Sequence, residues 1–77
     1  MTARLSEAQR AYRAACAASA KASAVRRDLP PGSSRAKVTT ANARWSSAAE
    51  ERERIGATLT LDERAAVDAM YAAEGGR

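Results

Sequence analysis

Leu29-Pro30-Pro31-Gly32 is the one strong helix stop in a chain otherwise built to be helical. Each proline removes a backbone donor and disfavours helical geometry at the residue before it, and the glycine relaxes the turn. Around this stop alanine dominates, phenylalanine is absent and β-branched residues are few and scattered, so propensity favours helix over strand throughout. The expected fold class is all-α, one domain spanning 1–77, with helix one over about 6–28, a turn over 29–33, helix two over about 34–55 and a shorter helix three over about 61–74.

The helix ends carry their own signals. Thr2 or Ser6 can cap helix one, and Ser6 with Gln9 has capping-box spacing. Ser33 or Ser34 can cap helix two, Gly56 offers it a left-handed C-terminal position, Thr60 and Glu63 form a second capping box, and Gly75-Gly76 ends helix three.

A seven-residue repeat predicts how the long helices meet. Ala8, Ala11, Ala15, Ala18, Ala22, Val25 and Leu29 recur at spacings of three and four, and Val38, Ala41, Trp45, Ala48, Arg52, Ile55 and Leu59 do the same. A short turn between them predicts an antiparallel hairpin with Trp45 facing Ala18 and Ala22, a large side chain set against small ones. The same register puts Arg13 near Glu50 and Arg10 near Glu53.

Beside the alanine stripe of helix one lies a second apolar strip, Leu5, Tyr12 and Cys16, which one partner helix cannot cover together with the first. Helix three, with Val67, Met70 and Tyr71, can fold back over part of it, and a second copy could cover the rest in a helical bundle dimer. Leu5, Tyr12, Cys16, Met70 and Tyr71 are therefore the expected protein interface. With 77 residues and only about a dozen sizeable apolar side chains, the core is thin and a second chain is the expected remedy.

Little in the chain suits catalysis. There is no histidine, so the single cysteine, Cys16, lacks its usual activating base, and it cannot form an internal disulfide. Glu50, Glu51 and Glu53 alternate with Arg52 and Arg54, the pattern of a salt-bridged helix face rather than of a metal site. The Pro30-Pro31-Gly32-Ser33-Ser34 segment lacks the spacing and lysine of a phosphate-binding loop. No enzyme activity, cofactor, metal or small-molecule substrate is expected.

Charge is the most suggestive functional signal. Residues 1–44 hold nine basic and two acidic side chains, net +7, whereas 45–77 hold four basic and seven acidic, net −3. Arg26, Arg27, Arg35 and Lys37 cluster round the turn with Lys21 and Arg44 behind, a set that can neutralise phosphates. No aromatic lies at the tip to stack a base, and helix three, with Asp62, Glu63, Asp68 and Glu74 against Arg64, would be repelled from a major groove.

The sequence thus points to a small adaptor, inhibitor or regulatory protein that works through protein contact or as a homodimer, with sequence-independent nucleic-acid binding as the alternative. Met1 to Arg10 carries charges and no apolar run, so neither a signal peptide nor a membrane anchor is expected and a cytoplasmic location follows by default. The excess of alanine and of arginine over lysine suggests a GC-rich bacterial or phage origin.

Overall fold

The computed structural model describes residues 4–75, and those residues form three α-helices and no strand: α1, Glu7–Arg27; α2, Arg35–Gly56; and α3, Leu61–Ala73. Thr2 and Gly76, named above as possible end signals, lie outside the described residues. Among the described residues no helix is long and apolar enough to cross a membrane.

Each helix starts on a side-chain cap. Ser6 Oγ accepts the Gln9 N–H at 3.1 Å while Gln9 Oε1 accepts the Ser6 N–H at 3.0 Å, and Thr60 and Glu63 reciprocate in the same way at 3.1 and 2.9 Å. Ser34 Oγ accepts the Lys37 N–H at 3.2 Å. Between α1 and α2 the Ser33 N–H donates to the Pro30 carbonyl at 3.2 Å and Gly32 takes φ 81°, so Pro31 and Gly32 occupy the two central places that a type II turn reserves for them. A side chain at Gly32 would be strained by its backbone alone.

Contacts pair the start of α1 with the end of α2, and the end of α1 with the middle of α2. Tyr12 lies against Gly56, and Arg26 Nε donates to Asn42 Oδ1 at 2.6 Å. The described chain is elongated, 49 × 23 × 16 Å.

Of the alanines in the predicted stripe of α1, only Ala15 is buried and Ala22 is half-buried. Tyr12, Ala15, Cys16 and Ser19 are buried, whereas Ala8, Ala11 and Ala18 are exposed and Val25 keeps 49% of its surface. α1 is therefore rotated towards its second apolar strip. The reason is α3: it folds onto Tyr12 and Cys16, and burying one aromatic ring of some 150–250 Å² outweighs leaving several methyl groups in water. The core, Tyr12, Cys16 and Val67 with Leu5, Ile55, Leu59 and Tyr71 packed on it, sits where all three helices meet, away from the turn.

The rotation also moves Trp45. It lines a cleft with Ser19, Ala20 and Ser23, with the Arg26 guanidinium 4.6 Å above its ring, while Ala41 takes the buried place in the seam beside Ala22 and Val25. A small residue there lets the backbones approach, and the indole is left on the flank. The expected ion pairs shift with it: Arg13 pairs with Glu74, and Glu53 is taken by Arg64 and Arg52.

Gly56 differs from its expected role too. It is helical and buried, with no positive φ. A Cβ there would meet Tyr12 Cε1 at 3.0 Å and the Arg64 guanidinium at 3.1 Å, so the glycine is needed for close approach of the Tyr12 ring rather than for a left-handed cap.

Candidate docking groove

Tyr12 is the hub of a latch joining the three helices. Its hydroxyl donates to Asp68 Oδ1 at 2.9 Å and accepts from Arg64 Nε at 3.1 Å; Arg64 Nη2 in turn donates to both Glu53 carboxylate oxygens at 3.1 Å. The Arg64 guanidinium also lies 5.3 Å from the Tyr12 ring centroid. Gln9 links the caps, since its Nε2 donates to the Glu63 carbonyl at 3.3 Å while its Oε1 closes the box on Ser6. Burial, with help from the hydrogen bond to Asp68, pushes the Tyr12 phenol up to about 12.

Most residues of the expected protein interface are engaged within the chain itself. Tyr12 keeps 2% of its surface and Cys16 is buried beside it, so neither is free to meet a partner. Leu5 and Tyr71 pack on the same core and Met70 is half-buried. The strip that a second chain was expected to cover is largely closed by α3.

Next to the latch a cleft of about 510 Å³ runs between α1, α2 and α3, walled by Ser19, Ser23, Trp45, Arg52 and Tyr71 among others. Arg52 Nε and the Tyr71 hydroxyl lie buried along it without a hydrogen-bond partner in the protein.

Of the six tip cations, the structure turns two aside. Arg26 folds back on Asn42 and Trp45, and Arg27 lies 3.6 Å from Asp28. Lys21, Arg35, Lys37 and Arg44 are exposed, and no carboxylate among the described residues lies within ion-pair distance of them. Arg35 and Lys37 stand in the first turn of α2, which holds no acid. That turn is the positive end of the helix dipole, so the cations add to a field that already favours anions.

Three of these cations border a groove that sequence reasoning missed. Val25, Leu29, Ala36, Thr40 and Ala41 line it with Lys37 and Arg44, and it continues along Ala18, Lys21 and Ala22. At about 100° of rotation per residue, Ala18, Lys21 and Val25 lie roughly 180–240° round α1 from Tyr12. The groove therefore opens on the side of α1 away from α3. Ala18, Ala22 and Ala41 belong to the predicted seam; with α1 rotated towards α3, Ala18 is exposed and Ala22 half-buried, while Ala41 stays buried at the groove floor. A floor of small apolar side chains with a rim of unpaired cations can accept a closely approaching helix that carries carboxylates.

Compared with protein-family models, with curated proteins and with solved structures, the chain matches none.

Proposed function

We propose that the chain is a small non-enzymatic adaptor, inhibitor or regulatory protein, and that it acts by seating an acidic, small-residue helix face in the groove between α1 and α2. In this reading the two long helices and their Pro-Gly turn work as one hairpin arm, and the α3 latch holds the arm in shape. The observation that carries the reading is the groove itself: Val25 is 49% exposed among alanines, with Lys21, Lys37 and Arg44 along the rim. A cytoplasmic setting goes with it.

A second reading is favoured by one observation, the absence of carboxylates beside Lys21, Arg35, Lys37 and Arg44 among the described residues. Those cations can bind duplex nucleic acid without reading its sequence, with a slope of about −4 in log K against log salt if all four meet phosphates. Titrating isotope-labelled protein with an acidic, alanine-faced helical peptide, and separately with random duplex, tests both. Protein contact predicts that the peptide moves the amides of Ala18, Ala22, Val25 and Ala41 at 150 mM salt. Binding of duplex alone, centred on Arg35 and Lys37, favours the second reading, and no shift with either ligand contradicts both.

A further inference from the structure

Resting on the groove reading above, we infer that the helix seated in the groove is α3 of a second copy, and that the resulting assembly is head-to-tail and open-ended. The outward face of α3 has the required chemistry. Leu61, Ala65, Ala69 and Ala72 are spaced by three or four residues and all are exposed, Leu61 at 87%, so they form one apolar stripe, alanines after a leucine, that nothing among the described residues covers. Asp62 flanks that stripe, and α3 has two acids in its first turn and no base in its last. The groove offers the complement: alanines and Val25 for the stripe, and Lys21, Lys37 and Arg44 for the carboxylates.

Long-range charge agrees with the local fit. The first 44 residues carry net +7 and the remainder net −3, so a copy is an electrically polar body that meets another best with unlike regions in contact.

The geometry also fixes the kind of assembly. α3 is held to α1 through Gln9, Tyr12 and Arg13, by way of Glu63, Asp68 and Glu74, and the groove lies about half a turn round α1 from that side. One copy therefore offers α3 from one face and the groove from the opposite face. Two copies related by a two-fold axis cannot make both contacts at once, because the partner that fills the groove stands on the wrong side to receive α3. The contact is heterologous, and a heterologous contact that does not close into a ring continues.

Blocking each half of the contact separately tests this. One variant, Ala18→Gln with Val25→Gln, fills the groove; another, Leu61→Gln with Ala65→Gln, obstructs the α3 stripe. All four positions are exposed, and far-UV circular dichroism checks that both variants keep their helices. In sedimentation velocity at 10–200 µM, as a working range, wild type should give a weight-average mass that climbs with concentration past that of a dimer. Each variant alone should stay a monomer, at least tenfold weaker in self-association. An equimolar mixture should form a one-to-one pair that grows no further, because it retains one intact groove and one intact α3.

Monomeric wild type, wild type that stops at a dimer, variants that assemble like wild type, or a mixture that stays monomeric would each overturn the inference. A monomeric wild type that still binds the acidic peptide would leave the groove reading standing. Should either variant lose helicity, a spin label on Cys16→Ser, Val25→Cys protein mixed with isotope-labelled wild type gives the same answer: broadening of the Ala65 and Ala69 amides supports the contact, and its absence contradicts it.

Discussion

The two ends of the molecule are built on different principles. At the end away from the turn, three helices converge on Tyr12, Cys16 and Val67, and a glycine is spent to bring a ring and a backbone together. At the turn end two helices lean on each other through Ala22, Val25, Leu29 and Ala41, with no third layer over either face among the described residues. A third helix, even one of 13 residues, decides which side of α1 faces inwards. The apolar surface displaced by that decision, Ala18 and Val25 among it, is left exposed.

The sharpest way to break the contrast is at Val67, which has no exposed surface. Val67→Asp buries an unpaired carboxylate where three helices meet, and we expect the folded state to be lost at 25 °C by circular dichroism. Gly56→Val comes next. Its branched side chain enters a space where even a Cβ is 3.0 Å from the Tyr12 ring, for a cost of about 1–3 kcal/mol in denaturant titration despite the gain in helix propensity.

Tyr12→Phe removes both hydroxyl contacts and should cost about 1–2 kcal/mol, lowering Tm by several degrees in a domain of this size. The same hydroxyl sets an alkaline limit. Its folded-state value of about 12 lies above the ordinary 10, so the folded form keeps the proton while the unfolded form releases it. Stability from this group is whole below pH 10 and is lost as pH rises from 10 to 12, by up to roughly 3 kcal/mol. Urea unfolding between pH 8 and 11.5 should show that decline in wild type and a shallower one in Tyr12→Phe. The smallest effect belongs to the other end: Val25→Ser should change stability by no more than about 0.5 kcal/mol, because half its surface is already in water.

What the sequence made legible follows the range of the interaction. Ser6 with Gln9 and Thr60 with Glu63 act across three residues, and both capping boxes are present. The turn is legible for the same reason, since Pro31 and Gly32 dictate their own backbone. The rotation of α1 is not local. The repeat through Ala8, Ala15 and Val25 describes a seam for one partner helix, whereas α1 is shared between two, and the competition is settled by Tyr12 and Val67, which are 55 residues apart in sequence. Trp45, Gly56 and the ion pairs of Arg13 and Glu53 follow from that rotation. The groove was invisible for the same cause, because its alanines read as interior until α3 claims the other side.

Residue-by-residue amide hydrogen exchange, with and without the acidic helical peptide, tests most directly whether one end is a closed core and the other a surface awaiting a partner. In the free protein, kept dilute enough to be monomeric, protection along α1 should be greatest from Tyr12 to Ser19 and should fall towards Val25. Adding peptide should raise protection over residues 18–29 and 36–44 and leave the Tyr12 to Ser19 amides almost unchanged. Uniform protection along α1 in the free protein, or a peptide effect centred on Tyr12 and Cys16, would contradict the account.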